Sequence, residues 1–365
     1  MRYRIFVTDC EGPISKNDNA FELSSEFISD GERLFTQLSR YDDVQAEIFN
    51  REGYNAGDTL KLIVPFLKAY DVTSRDITEF SAKTILVMPN AKEALQALRE
   101  HIPSFIVSTS YGQYIEALCE VLEFPFENTY HTKLDIDNFP MNNQEQRRIK
   151  QLADEVCSMP PIEVPEGAKS VQDLSEQSNR SITRISEIFW SEIAEMQLGR
   201  KFSSMNPMGG TQKARAVTNI TNDAGSSIDR VMYVGDSITD VECLRLVKKS
   251  RGLTISFNGN AYAVKGAEIA VLSHTSLPIA ILGLIFSKFG RDSTLKLGRQ
   301  MEQDGIRKVV QESNLDPALK HGIRELSPKY LPQVRLITPE NIREIIDSSC
   351  LFRKLVRGAK VGNLG

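Results

Sequence analysis

The stretch YRIFVTDCEGP, residues 3–13, decides the fold class of this chain. It runs through a largely apolar, β-prone segment into Asp9, reaches a second acid at Glu11, and breaks at Gly12-Pro13. A continuous apolar run is typical of a strand that is covered on both faces in a parallel sheet. If the chain stays extended through both acids, their side chains point to the same side.

Four further runs have the same strand-like character, and helical patterns lie between them. The additional predicted strands are 104–108, 230–235, 253–257 and 269–272. Helical patterns such as 90–100 and 238–249 separate them. This alternation predicts an α/β fold with a doubly wound, Rossmann-like parallel sheet.

Two stretches and a tail lie outside this alternation. The amphipathic, helical segment 16–83 and the polar segment 140–208, which carries a Pro-rich break, are predicted as insertions. The core then consists of 1–15, 84–139 and 209–289. Residues 290–365 are predicted as a helical C-terminal extension whose basic, Gly-containing end is frayed.

Composition and charge narrow the class of protein. The chain has 365 residues and a net charge of -4, which gives no basic surface for nucleic acid. No signal-peptide pattern is seen at the N-terminus, and the longest apolar run, 277–286, is too short to span a membrane. The 5 cysteines are scattered singly, which disfavours disulfides and zinc. We therefore expect a cytoplasmic protein without a nucleic-acid partner.

Ligands of open parallel sheets bind beyond the carboxyl ends of the strands, and the first of these ends carries two acids. Asp9 and Glu11 could bind Mg²⁺ or could divide the work of nucleophile and proton donor. The alternative at this position is an exposed acidic pair in a loop.

The second predicted strand ends in Ser108 and Thr109, just before a helix that starts near Tyr111. Hydroxyls together with the free amides of a helix N-terminus suit a phosphate oxygen. Ser and Thr are also favoured as helix N-caps, so an ordinary cap is the alternative.

Two later positions supply charge. Lys213 follows Gly209-Gly210 in the first turn of a predicted helix, where a cation is disfavoured unless it pairs with an anion. A lone surface lysine is the alternative. After the strand 230–235, Asp236 sits in a tight turn, and Asp240 follows one helical turn later.

Taken in order, these motifs resemble the haloacid dehalogenase-like (HAD) superfamily of phosphohydrolases, and in particular proteins related to phosphoserine phosphatase. The resemblance implies that Asp9 is a nucleophile that forms an aspartyl-phosphate, and that Glu11 is the general acid and base. It further implies that Ser108 and Lys213 hold the phosphoryl oxygens. The Mg²⁺ ligands would be Asp9, the backbone carbonyl of Glu11, and Asp236, supported by Asp240.

The resemblance also implies a helical cap at 16–83 and further site residues. Thr109 and Asn258 are supporting candidates, and Asn17, Asp18 and Arg51 are the candidates for substrate contacts from the cap. Most phosphatases of the superfamily carry Asp where this chain has Glu11. Members with Asp-x-Glu-Gly also act as phosphotransferases, so the balance between hydrolysis and transfer stays open.

The expected function is Mg²⁺-dependent phosphoryl hydrolysis or transfer on a small phosphorylated metabolite. The opening block TDCEGPISKNDNAFEL also resembles an archaeal group known as an accessory subunit of an energy-converting hydrogenase A. The alternative function is therefore a non-catalytic subunit with the same fold, which binds a protein partner through its insertions or its C-terminal tail.

Overall fold

The computed structural model describes residues 3–49, 54–165 and 167–363. Within them, seven strands form one sheet in the order β3-β2-β1-β4-β5-β6-β7, and all neighbours are parallel except β6 and β7. The strands are β1 (Ile5–Thr8), β2 (Ser104–Tyr111), β3 (Thr129–Thr132), β4 (Val231–Gly235), β5 (Leu253–Phe257), β6 (Ile269–Leu272) and β7 (Gln333–Leu336). The predicted α/β class with a doubly wound, mostly parallel sheet is confirmed.

Helices cover both faces of this sheet, as the uniformly buried strands require. The helices that alternate with the core strands are α6 (Ala91–Arg99), α7 (Gly112–Leu122), α11 (Gly210–Asp223), α12 (Val241–Lys249), α13 (Ala261–Gly266) and α14 (Leu277–Phe289), numbered in chain order. The helix α14 contains the longest apolar run of the sequence, and its side chains are buried almost throughout. In the described part of the chain, no helix combines the length and the apolar character needed to cross a bilayer.

The sheet reverses its strand order next to β1. Thr8, the last residue of β1, pairs with Ile106 of β2 on one side and with Val234 of β4 on the other. The chain then leaves β1 between two strands whose connections run in opposite directions. This is the switch point at which doubly wound sheets bind their ligands.

The two predicted insertions share one hydrophobic cluster above the sheet. Its buried members run from Ala20 to Ile77 in the first insertion and from Ile149 to Phe202 in the second. The helices are α1 (Asn19–Phe27), α2 (Gly31–Glu47), α3 (Thr59–Leu62), α4 (Val64–Ala69), α5 (Ser74–Thr84), α8 (Asn143–Ser158), α9 (Glu176–Glu187) and α10 (Gly199–Ser204). A π-helical segment, Ile188–Ile193, continues α9. We refer to these two insertions together as the cap.

The C-terminal extension differs from its prediction in two respects. It contains the helices α15 (Arg291–Asp304), α16 (Ile306–Glu312), α17 (Pro317–Glu325) and α18 (Ile342–Arg357). It also supplies β7, which pairs antiparallel with β6 and so extends the core sheet. The predicted frayed end is wrong over the last turns of α18, because Arg353 there is 3% exposed. The prediction of a helical extension missed β7 because this strand is only four residues long and lies on the sheet edge.

Candidate active site at the carboxyl ends of the strands

Asp9 lies at the centre of the site and is buried, with 4% exposure. Its amide donates to the carbonyl of Val234, so the chain stays attached to β4 for one residue beyond β1. Its Oδ1 accepts from the amide of Cys10 at 2.7 Å. Burial and the neighbouring Asp240 raise the pKa of Asp9 to about 8. The buried thiol of Cys10 points away into the apolar core.

Lys213, in the first turn of α11, is fully buried and bridges two carboxylates. Its Nζ lies 2.9 Å from Oδ2 of Asp9 and 2.9 Å from Oδ1 of Asp240. Burial would lower the pKa of Lys213, but the two carboxylates outweigh it and raise this pKa above its usual value. The alternative of a lone surface lysine is thereby excluded.

Asp240 uses both of its oxygens inside the protein. Oδ1 accepts from Lys213 and from the hydroxyl of Tyr233, while Oδ2 accepts from the amides of Asp236 and Ser237. Burial alone would raise the pKa of Asp240, but Lys213 and these donors lower it. Asp240 is therefore an ionised anchor for Lys213 and for the turn after β4.

Glu11 reaches the same cavity as Asp9, as their spacing predicted. Its Oε1 accepts from the hydroxyl of Ser110 and from the amide of Asn19, both at 2.9 Å. Burial, and then the charge of Asp18, raise the pKa of Glu11 to about 8. This shift favours the protonated form of Glu11, the form that a proton donor needs.

Ser108 and Thr109 lie in the second half of β2, which continues to Tyr111 beyond the predicted strand end, and both line the cavity. The hydroxyl of Ser108 donates to Oγ of Ser110 at 3.2 Å and is almost fully buried. The N-cap position of α7 is Tyr111, and no side chain caps it. The alternative of an ordinary serine cap therefore does not hold for Ser108.

The backbone conformation and the close surroundings of position 12 require a glycine after the acidic motif. Its φ of +102° favours glycine, and a Cβ at this position would lie 2.2 Å from Oδ2 of Asp236. The loop after β1 and the turn after β4 thus come into close contact. This contact brings Asp236, which is 2% exposed, to the side of Asp9.

Two arginines that the sequence analysis did not select complete this side of the site. Arg353 and Arg357 of α18 line the cavity, and both form ion pairs with Oδ2 of Asp236. The signal in the sequence was their spacing: Ser349, Arg353 and Arg357 are four residues apart and so share one face of a helix. From sequence alone, this spacing is also typical of the solvated face of a helix.

Three carboxylates of the site lie close enough together to bind one Mg²⁺ ion. Oxygens of Asp9, Asp236 and Asp240 lie within 4.8 Å of one another, and hard oxygen donors are what Mg²⁺ prefers. Burial, and then the charge of Asp240, disfavour the ionised form of Asp9, which a bound cation would favour. The donor set therefore fits a divalent cation that Asp9 and Asp236 would hold, and Asp236 is also paired with Arg353.

The remaining predicted residues divide into one that lines the cavity and others that do not. Asp18 lines it and caps α1 by accepting from the amide of Phe21. Asn17 is buried outside the lining, and its amide group holds Glu22 and the backbone of 84–86. Asn258 joins the ends of β5 and β6 through two 2.8 Å hydrogen bonds with Ser273. Arg51 lies outside the described residues.

The cavity between core and cap measures about 90 Å³. Its floor consists of the strand-end groups described above, and its roof comes from α2 and the segment around Gly57–Leu60. Two roof residues, Asp42 and Asp43, are acids. Sites for drug-sized ligands commonly measure roughly 300–1,000 Å³. The cavity is therefore smaller than the usual site for a drug-sized ligand.

The chain matches no family model, and the search of curated proteins returned no match. It is similar to a solved structure of gene product AF1437 from Archaeoglobus fulgidus, with a TM-score of 0.78 and 24% sequence identity. This alignment covers 100% of this chain and 99% of the other, and it shows a shared fold.

Two solved structures of phosphoserine phosphatase are more distant. One is a phospho-aspartyl intermediate analogue and the other a substrate complex, each with a TM-score of 0.44 and 14% identity. The alignments cover 74% and 76% of this chain, and 93% and 97% of the phosphatase chains. At this level of similarity they carry no argument about this chain.

Proposed function

We propose that this protein is a phosphatase or phosphotransferase that acts on a small phosphorylated metabolite through an aspartyl-phosphate at Asp9. One observation carries the proposal: separate segments of the chain bring Asp9, Ser108 and Asp236 to one cavity beyond the sheet, and the buried Lys213 is paired with Asp9. Phosphoryl transfer mainly requires positioning and the neutralisation of charge, and this set of groups supplies both.

In the first step, a carboxylate oxygen of Asp9 attacks phosphorus while the bond from phosphorus to the leaving oxygen breaks. Ser108 and Lys213 bind the phosphoryl oxygens, and Glu11 gives its proton to the leaving oxygen. The hydrogen bond from Ser110 and the amide of Asn19 hold Oε1 of Glu11 in place for this transfer.

In the second step, Glu11 accepts a proton from water, which attacks the phosphorus and releases Asp9 and inorganic phosphate. If an alcohol takes the place of water, the same step transfers the phosphoryl group instead. Mg²⁺, held by Asp9 and Asp236, would supply positive charge that keeps Asp9 ionised and offsets the charge of the phosphoryl oxygens. The backbone carbonyl of Glu11 stays a candidate third ligand.

The small size of the cavity supports a small metabolite as the substrate. The roof formed by the cap lies over the strand ends and covers the reacting groups from bulk solvent. Asp18, Asp42 and Asp43 are the acidic cap residues that line the cavity. The substrate contacts that we propose therefore come from this acidic roof.

A second candidate function is a non-catalytic subunit that keeps the fold and binds a protein partner, such as the hydrogenase-type complex suggested by the opening block of the sequence. The observation that favours it is the pair of arginines on Asp236, because they occupy a carboxylate that the reaction needs. Leu351 and Leu355, both 69% exposed on α18, would offer an apolar contact to a partner. The retained set of Asp9, Ser108 and Lys213 favours the enzyme.

The test is turnover of an aryl phosphate by the purified protein with and without Mg²⁺, beside the variant Asp9→Asn. We expect metal-dependent turnover in the wild type and a loss of at least about 10³-fold in Asp9→Asn, because the nucleophile is removed. Asp223→Asn, an exposed acid on α11, is the matched control and should keep wild-type activity.

Absence of turnover over a broad panel of phosphorylated metabolites, together with absence of trifluoroberyllate binding at Asp9, would refute the enzyme. Trifluoroberyllate mimics the phosphoryl group on a carboxylate, so its binding reports the aspartyl-phosphate site even when the natural substrate is unknown. Full activity in Asp9→Asn would equally exclude the proposed mechanism.

A further inference from the structure

In the second half of α18, one face of the helix packs against the active site. Ser349, Arg353 and Arg357 are spaced by four residues, and the first two are almost completely buried. The hydroxyl of Ser349 donates to the carbonyl of Gly259 at 2.6 Å. This bond fixes the helix to the loop after β5 and sets the depth at which the two arginines enter.

Both guanidinium groups meet at one carboxylate. Nη1 of Arg353 forms an ion pair with Oδ2 of Asp236 and lies 3.3 Å from the backbone carbonyl of the same residue. Nη1 of Arg357 lies 3.2 Å from the same Oδ2. The side chains of Asp236, Arg353 and Arg357 are at most 4% exposed, so solvent screens these contacts little.

Arg357 also connects this carboxylate to the loop that follows Glu11. Its Nε donates to the carbonyl of Lys16 at 3.1 Å, and its Nη2 donates to the carbonyl of Asn17. Arg357 therefore keeps several partners even when it releases Asp236. Arg353 contacts both the side chain and the backbone carbonyl of Asp236.

The carboxylates of Asp240 and Asp9 already have partners within the protein. Asp240 accepts from four donors, and Asp9 is paired with Lys213 through Oδ2. The carboxylate of Asp236 is thus where an arginine and a metal ion compete directly. Two positive groups cannot both bind one buried oxygen at short range without strong repulsion.

We propose that Arg353, supported by Arg357, sets the affinity of the active site for its divalent cation by competing with that cation for Asp236. The inference rests on the proposed function, since it concerns the cation of the same site. Arg353 acts through Asp236 and is a positioning residue. In the absence of the metal it neutralises the buried carboxylate, and binding of the metal requires its guanidinium to move aside.

The experiment measures binding of Mn²⁺ alone to the full-length protein, by electron paramagnetic resonance of free Mn²⁺, without any substrate. We expect Arg353→Gln to bind Mn²⁺ about 10- to 100-fold more tightly than the wild type, the range of one charge-assisted hydrogen bond. Arg353→Lys keeps the charge and should stay within about threefold of the wild type.

Lys354→Gln is the matched control, because it removes the same charge from the neighbouring, exposed position of α18. It should leave the Kd for Mn²⁺ unchanged. If Arg353→Gln does not fold, Arg357→Gln carries the same expectation with a smaller gain, since it keeps Arg353 in place. Circular dichroism and urea unfolding establish which variants are folded.

Weaker or unchanged Mn²⁺ binding in folded Arg353→Gln, or in Arg357→Gln where it replaces that variant, would overturn the inference, as would an equal gain in Lys354→Gln. Absence of Mn²⁺ binding in every variant would overturn it as well. The proposed function is judged separately, by turnover of the aryl phosphate and by trifluoroberyllate. A wild type that turns over substrate while Arg353→Gln binds Mn²⁺ no better would refute this inference and leave the function standing.

Discussion

The active site contains two buried groups of positive charge, and they are built in different ways. Lys213 comes from the core and lies between Asp9 and Asp240, 2.9 Å from each. Arg353 and Arg357 come from the C-terminal extension and converge on Asp236. One cation thus serves two carboxylates, while two cations share one.

The difference separates a permanent charge from an exchangeable one. Removal of Lys213 would leave two buried carboxylates facing each other without a counter-charge, which is strongly unfavourable. Removal of Arg353 leaves Arg357 on Asp236, and an external cation can take its place. The core therefore supplies the fixed electrostatics of the site, and the extension supplies the adjustable part.

Lys213→Met removes the permanent charge, and we expect it to have the largest effect on stability and turnover. We expect the free energy of unfolding to fall by about 3–5 kcal/mol, because both carboxylates lose their buried partner. Turnover of the aryl phosphate should fall by about 10²- to 10³-fold, as for the loss of a group that stabilises transition-state charge. Urea unfolding and steady-state kinetics measure the two effects.

Lys249→Met, at an exposed position of α12, is the control for Lys213→Met. It should change neither quantity. Wild-type stability in Lys213→Met would show that the two carboxylates are accommodated without the lysine, and the distinction between fixed and exchangeable charge would then fail.

The pH dependence of turnover reports how the charge of Arg357 affects Glu11. Burial and Asp18 raise the pKa of Glu11 to about 8, while Arg357 lowers it. Glu11 donates its proton only below this pKa, so kcat/KM should fall as the pH rises through about 8. In Arg357→Met the lowering influence is lost, and the falling limb should move to higher pH.

Glu11→Gln is the reference for that profile. It should reduce kcat/KM by about 10²-fold or more and remove the limb, since no proton donor remains at this position. A limb that stays in Glu11→Gln belongs to another group. A limb that moves to lower pH in Arg357→Met would show that Arg357 affects the site in another way than through its charge.

The smallest effect is expected where the extension touches the cap. Lys360 forms an ion pair with Glu32 of α2, and both side chains are largely exposed. Lys360→Ala should therefore lower the free energy of unfolding by less than about 1 kcal/mol and leave turnover unchanged. A loss as large as that of Lys213→Met in the same urea titration would show that this surface contact holds the extension in place.

The central part of the fold could be predicted because local sequence determines it. Each of the five predicted strands exists, and Asp9, Glu11, Ser108 and Asp236 all line one cavity. Their positions follow from one rule, that parallel strands deliver their carboxyl ends to one edge. The catalytic roles assigned to these residues stay predictions.

The missed parts depend on contacts between distant segments. The strand β7 is short and lies at an edge, and its pairing with β6 is not encoded by a local pattern. Arg353 and Arg357 were read as part of a solvated basic end, because their burial is caused by Asp236, more than a hundred residues earlier. Asn258 was selected as a site residue, and its amide group forms both of its hydrogen bonds with Ser273, which follows β6.

The helix α18 also brings together residues that the ribosome makes at very different times. Arg353 is synthesised on the order of tens of seconds after Asp9 at ordinary translation rates. During part of that interval Asp9 and Asp236 are both present in the nascent chain, and the guanidinium of Arg353 is not. The acidic cluster is therefore complete before the arginine that neutralises Asp236 has been made.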